Sequence, residues 1–125
     1  MTFRSTQTRW SPWDFRDTGL AGTDLSGYHI EAVDGEIGKV HEATYEVGGS
    51  YLVVDTGPWI FGKKVMLPAG VVSRVDHADR RVFVDRMKEQ IKNAPEFDEN
   101  MREDLAYRDR LGTYYGEWYD REGGL

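Results

Sequence analysis

The sequence predicts a mainly β protein: a small closed or nearly closed barrel of about six short strands, followed by helices. Three observations predict it. Tyr51 to Val54 is a continuous apolar run ended by Asp55-Thr56-Gly57-Pro58, as expected of a strand covered on both faces. Around it lie stretches of two-residue alternation, punctuated by turn signals at Asp34-Gly35, Gly48-Gly49 and His77 to Arg80. From Met87 onward the period of the apolar residues lengthens to that of a helix.

Taken in order, residues 1–23 read as a polar N-terminal tail, interrupted by Pro12 and Gly19 but carrying Trp10, Trp13 and Phe15. Segments without structure are usually poor in aromatics, so part of this tail is expected to dock. Residues 24–86 hold the barrel. Its first strand, Tyr28 to Val33, puts Tyr28, Ile30 and Ala32 on one face. Ile37 to Val47 resumes the pattern after the Asp34-Gly35 turn, with Gly38 at a bulge or a close approach of two backbones. The central strand follows Gly48-Gly49. Its partner, Lys63 to Leu67, turns Val65 and Leu67 inward and stops at Pro68, which has no N–H to give a ladder. Val71 to Val75 and Arg81 to Asp85 complete a meander. The expected interior is Leu52, Val54, Val65, Leu67, Val82 and Val84, with Val53 covered on the outer face by the helices.

Residues 87–112 form the predicted helical extension. Met87 to Asn93 makes a short helix that Pro95 forbids from continuing. A second helix is expected from Asp98 or Asn100, where Asn100 and Glu103 have capping-box spacing, with Met101, Leu105 and Leu111 inward and Gly112 as its stop. Residues 113–125 are left as a C-terminal tail rich in aromatics.

Composition narrows the function. The net charge is −6 and no stretch of the chain is basic, which makes electrostatically driven nucleic-acid binding unlikely. Cysteine is absent, excluding disulfides and thiolate chemistry and fitting a reducing compartment. The opening residues lack the apolar core of a signal peptide, and no run has the length of a membrane span. The sequence therefore reads as soluble and cytoplasmic.

Ala32-Val33-Asp34-Gly35-Glu36-Ile37-Gly38-Lys39-Val40 resembles the opening of a PRC-barrel domain. The Tyr51 to Gly57 segment, the Lys63 to Pro68 strand and the Val82 to Asp85 strand resemble its later part. Glu89 to Glu96 resembles the helix and proline that follow this barrel in small bacterial proteins. Such domains occur in the cytoplasmic part of the photosynthetic reaction-centre H subunit and in a ribosome-maturation factor. The resemblance covers about Tyr28 to Phe97 and implies a partly open β-barrel acting through protein–protein contacts, with no catalytic residues. No stretch of the sequence reads as the membrane helix of the H subunit, and residues 1–27 read as too short for the RNA-associated domain of the maturation factor. It is closer to the free-standing members described as stress-related.

The residues themselves assign no catalytic, metal or cofactor site. His29, His41 and His77 lack the spacing of a metal motif. Gly35 to Lys39 has two residues between its glycines where a phosphate loop needs four, and lies in a strand pattern. Ser50 and Ser73 have no triad context. Trp59, Ile60 and Phe61, beside Lys63 and Lys64, read as a barrel-end plug or a contact surface. Tyr114, Tyr115, Trp118 and Tyr119 are the second candidate interface; they are expected to be docked, on their own barrel or on a neighbour. The reading is a non-catalytic assembly module that forms homo-oligomers and contacts an unidentified protein partner. The alternatives are an RNA- or ribosome-associated accessory factor and a small-ligand binder using the barrel mouth.

Overall fold

The computed structural model describes residues 11–16, 23–45, 48–57 and 63–123, with side chains described as far as residue 116. Six strands form one sheet: β1 (His29–Ala32), β2 (Gly35–Ala43), β3 (Tyr51–Asp55), β4 (Lys64–Pro68), β5 (Val72–Asp76) and β6 (Arg81–Val84). Their order across the sheet is β4-β3-β2-β1-β6-β5. The first four strands make the expected meander, but the last two do not continue it. The β5–β6 hairpin returns to the far side, where β6 pairs with β1 in parallel. That pairing joins strands about fifty residues apart, and no local turn signal encodes it.

The sheet is strongly curled and open. β4 and β5 lie at opposite edges, yet only the 3₁₀ turn Ala69–Val71 separates them in the chain. Such a turn spans about 6 Å, whereas six flat strands would hold their edges about 24 Å apart. The edges therefore meet at this corner. Among the described residues no ladder joins β4 to β5, so the sheet does not close.

Alternation and burial agree on the concave side. Leu52 and Val54 pair with Leu67 and Val65, and Val54 also with Val40. Leu52, Val54, Leu67, Val82 and Val84 are buried as expected, while Val65, on the edge strand, is only partly covered. Tyr51 and Val53 project to the other side of β3 and are equally buried, which is why this strand lacks alternation. Gly38 allows the curl. The β1–β2 register shifts beside it, its φ is +151°, and a Cβ would lie 2.1 Å from the carbonyl oxygen of Asp55.

The outer layer is built after β6. Helix α1 (Lys88–Lys92) takes its first N–H bonds from side chains, Met87 N–H donating to Gln90 Oε1 and Lys88 N–H to Asp34 Oδ1. The second helix does not start where Asn100 and Glu103 suggest. Asp98 caps the 3₁₀ turn Glu99–Met101 instead. Helix α2 (Leu105–Gly123) begins after Asp104, whose carboxylate accepts from Ala106 and Tyr107 N–H. The later start changes the buried stripe to Tyr107, Leu111 and Tyr115, four residues apart, and leaves Leu105 72% exposed.

Gly112 does not end the helix, which runs on to Gly123, so residues 113–123 continue it. The glycine serves packing. A Cβ on Gly112 would sit 3.0 Å from Trp13 Nε1 and 3.5 Å from Pro12. The Ser11 to Arg16 segment thus lies over α2, and its backbone ties it to the sheet: Ser50 N–H donates to Trp13 O, and Gly70 N–H to Pro12 O. Arg16 donates to Gly70 O and pairs with Asp85. The Arg108 guanidinium lies 4.9 Å from the Trp13 ring. The docked part of the tail expected from its aromatics is this segment.

Candidate functional site

Strand β4 has one partner, β3, and its other edge borders a groove. Ala69 N–H donates to Ser50 O, and Thr56 N–H to Lys63 O. In an antiparallel pair, bonded and non-bonded residue pairs alternate. With the observed register, Leu67 and Val65 are therefore the residues that exchange bonds with β3. Lys64, Met66 and Pro68 point their backbone groups outward. No hydrogen bond from the described residues reaches the outward groups of Lys64 and Met66. Pro68 offers only a carbonyl, which blunts that end of the edge.

The groove has a volume of about 180 Å³ and runs between β4 and the stretch from α1 to Phe97. Val65, Met66, Ile91, Ala94, Pro95 and Phe97 supply its apolar lining. Its far wall is pinned by α2. Tyr107 donates from its hydroxyl to Pro95 O over 3.2 Å, and the Tyr107 and Phe97 rings lie 6.2 Å apart. Burial pushes the Tyr107 phenol up to about 12, so it stays a donor at neutral pH. Arg102 fixes the same wall to the sheet. It donates to Glu42 and to the Tyr51 hydroxyl on one side, and to Glu99 on the other. The hydrogen bond from Arg102 holds the Glu99 carboxyl below its ordinary range.

The rim is cationic. Lys63, Lys64 and Lys92 line it with Glu96, and Lys63 is paired with Glu96 at 3.1 Å. Neither Lys64 nor Lys92 has an ion-pair partner among the described residues. Two unpaired ammonium groups thus flank an apolar floor and an unpaired strand edge, in a chain of net charge −6.

The structure treats the sequence candidates unequally. Trp59, Ile60 and Phe61 lie outside the described residues, although Lys63 and Lys64 beside them form part of the rim. Tyr115 is fully buried, and Tyr114 is partly buried with its hydroxyl donating to Gln90 O over 2.5 Å. Their rings meet edge to face at 5.1 Å. Both dock within their own chain. Trp118 and Tyr119 fall in the last turns of α2, beyond the described side chains. Sequence reasoning missed Lys92, Ala94 and Phe97 as site residues. Pro95 announced the end of a helix, but nothing announced that the chain then folds back along β4.

Elsewhere, His29 Nδ1 lies 2.7 Å from Glu36, and His77 Nδ1 lies 2.9 Å from the Tyr28 hydroxyl. Among the described residues no three His, Cys, Asp or Glu side chains converge as a metal site would need. No helix among them is long and apolar enough to cross a membrane. A scan against protein-family models finds no match, and a search of curated proteins finds none either.

Proposed function

We propose that this chain is a non-catalytic assembly module: a cytoplasmic, stress-related protein on a partly open PRC-type β-barrel that works through protein–protein contacts. The observation that carries the reading is the groove beside β4. An apolar floor with a charged rim is the make-up of a protein contact, and an unpaired strand edge is a surface proteins ordinarily cover unless it is used. The curl of the sheet supports the barrel, and the residues from Ala32 to Val40 support the family. Two unpaired lysines in an acidic chain are too few to draw a nucleic acid by charge, so the protein reading is preferred to the RNA-associated one.

Site-specific photo-crosslinking in the native cell tests it. A crosslinking residue in place of Lys64 should give discrete protein adducts, and one in place of exposed Ser73 on β5 should not. Adding Lys92→Glu should weaken the Lys64 adducts. Equal labelling from both positions, or none from position 64, would rule out the groove as the contact site.

A further inference from the structure

The geometry points to the kind of partner. We propose that β4 accepts an extended acidic segment of another protein as an added strand. The segment exchanges hydrogen bonds with the outward N–H and C=O groups of Lys64 and Met66, and its carboxylates meet Lys64 and Lys92. This deepens the reading of the groove as the contact site and rests on it.

Three features select the occupant. First, the outward groups occur at every second residue, Lys64 and Met66, and stop at Pro68. Among the described residues the N–H and C=O groups of Lys64 and Met66 offer a short ladder of about four hydrogen bonds. The partner must therefore be a short extended stretch, not a long strand or a helix. Second, Lys64 and Met66 project to one side of β4, where the floor lies. Residues two apart on an added strand share that side. The residue opposite Met66 faces the apolar lining, and the one opposite Lys64 faces an ammonium group. A carboxylate two residues from an aliphatic side chain satisfies both. Third, among the described residues neither Lys64 nor Lys92 is in an ion pair, whereas Lys63 and Arg102 already hold acids; Lys64 acts on Glu99 only through its field, so two ammonium groups remain for the partner's carboxylates.

A second copy of this chain fits the edge poorly. Pairing β4 with β4 would bring the lysines of both rims together, and like charges across a contact oppose it. Pro68 would also stand in both halves of the joint ladder.

The probe is a fluorescein-labelled peptide, acetyl-Gly-Glu-Thr-Val-Thr-Glu-Gly-amide, which as an antiparallel strand sets Val opposite Met66 and its second Glu opposite Lys64. Binding is read by fluorescence polarisation, and amide exchange of the protein by NMR. Saturable binding is expected. It should weaken about tenfold with Lys64→Glu or Lys92→Glu, both checked for unchanged thermal midpoints, and vanish when lysine replaces the two glutamates. N-methylation at Val, which removes a ladder donor, should weaken binding about tenfold or more. N-methylation at the two Thr residues, whose N–H groups point away, should not. The amides of Lys64 and Met66 should exchange more slowly with peptide bound. No binding, or binding by the lysine peptide, overturns the proposal. Charge-dependent binding that ignores both N-methylations also overturns strand addition, but it leaves the groove as a side-chain contact site. A peptide-free dimer that Lys64→Glu dissociates would assign the edge to a second copy, again against the proposal.

Discussion

Tyr107 and Tyr115 share one stripe of α2 and are both fully buried, but their hydroxyls are placed differently. Tyr107 donates to Pro95 O, while the Tyr115 hydroxyl has no hydrogen-bond partner among the described residues. An unsatisfied buried hydroxyl costs about 1–3 kcal/mol, and a satisfied one contributes about 1 kcal/mol. Tyr115→Phe is therefore expected to leave stability unchanged or raise it by about 1 kcal/mol, and Tyr107→Phe to lower it by about 1 kcal/mol, in urea titrations. The opposite order would mean that Tyr115 is bonded in solution. The backbone of Tyr115 is held all the same: Arg86, only 4% exposed, donates to its carbonyl and to Asp85. Burial raises both phenols above the ordinary value of 10.0, Tyr107 to about 12. Their folded pKa exceeds the unfolded one, so the stability they lend is complete below pH 10 and lost as pH rises through the folded values. Alkaline titration at 295 nm should show part of the phenol absorbance arriving late, together with loss of helix by circular dichroism. If all seven tyrosines ionise near pH 10 in a still-folded protein, those burials are wrong.

Among the elements, α2 departs furthest from its sequence signal, and Gly112 is the reason. Mid-helix glycine costs about 1 kcal/mol relative to alanine, which is why the sequence suggests a stop there. What offsets it is the Trp13 ring, close enough that a Cβ would touch Nε1 at 3.0 Å. Gly112→Ala should therefore destabilise by about 1 kcal/mol, overpacking outweighing the gain in helix propensity. In a Trp13→Ala background it should stabilise by a similar amount. A double-mutant cycle with no coupling would show that the segment does not sit on the helix. The strands were legible because each shows alternation or, in β3, a continuous apolar run between turn signals, and the Gly38 approach because glycine inside a strand has few other uses. The β1–β6 pairing, the Asp104 cap and the role of Gly112 were not. Each depends on a residue distant in the chain or on a choice between nearby caps, Asn100 against Asp104, that propensity alone leaves even. The groove was half legible: Lys63 and Lys64 stood beside a suspected surface, but Lys92 and Phe97 reach it only through the fold of α1 and Pro95.

At the scale of the whole molecule, the two layers depend on each other. The stripe of α2 and the outer face of β3, with Tyr51 and Val53, are buried in one core. Ending the chain after Gly112 removes Tyr114 and Tyr115, both docked within their own subunit. The thermal midpoint should then fall by several degrees with an unchanged number of subunits. A fall in mass by light scattering would place the lost segment between subunits instead. Self-association of the intact chain is a separate expectation. A concentration series should show a dimer or larger species, and Lys64→Glu should leave it intact, because β4 is reserved for the partner. A strictly monomeric mass at high concentration would overturn that expectation.

The contact of Trp13 with Gly112 also sets a clock. A ribosome adds about 5–20 residues per second, so Trp13 waits roughly 5–20 s for the turn of helix that receives it. Over part of the same interval β1 waits for β6, its parallel neighbour. Until α2 has been synthesised, the nascent chain carries an unseated indole and a sheet whose outer face is bare. Birth of this protein is thus a period of exposure that ends once α2 is made. Slowing translation between β6 and α2 should lengthen it, and raise the share of chains lost to aggregation before they are complete.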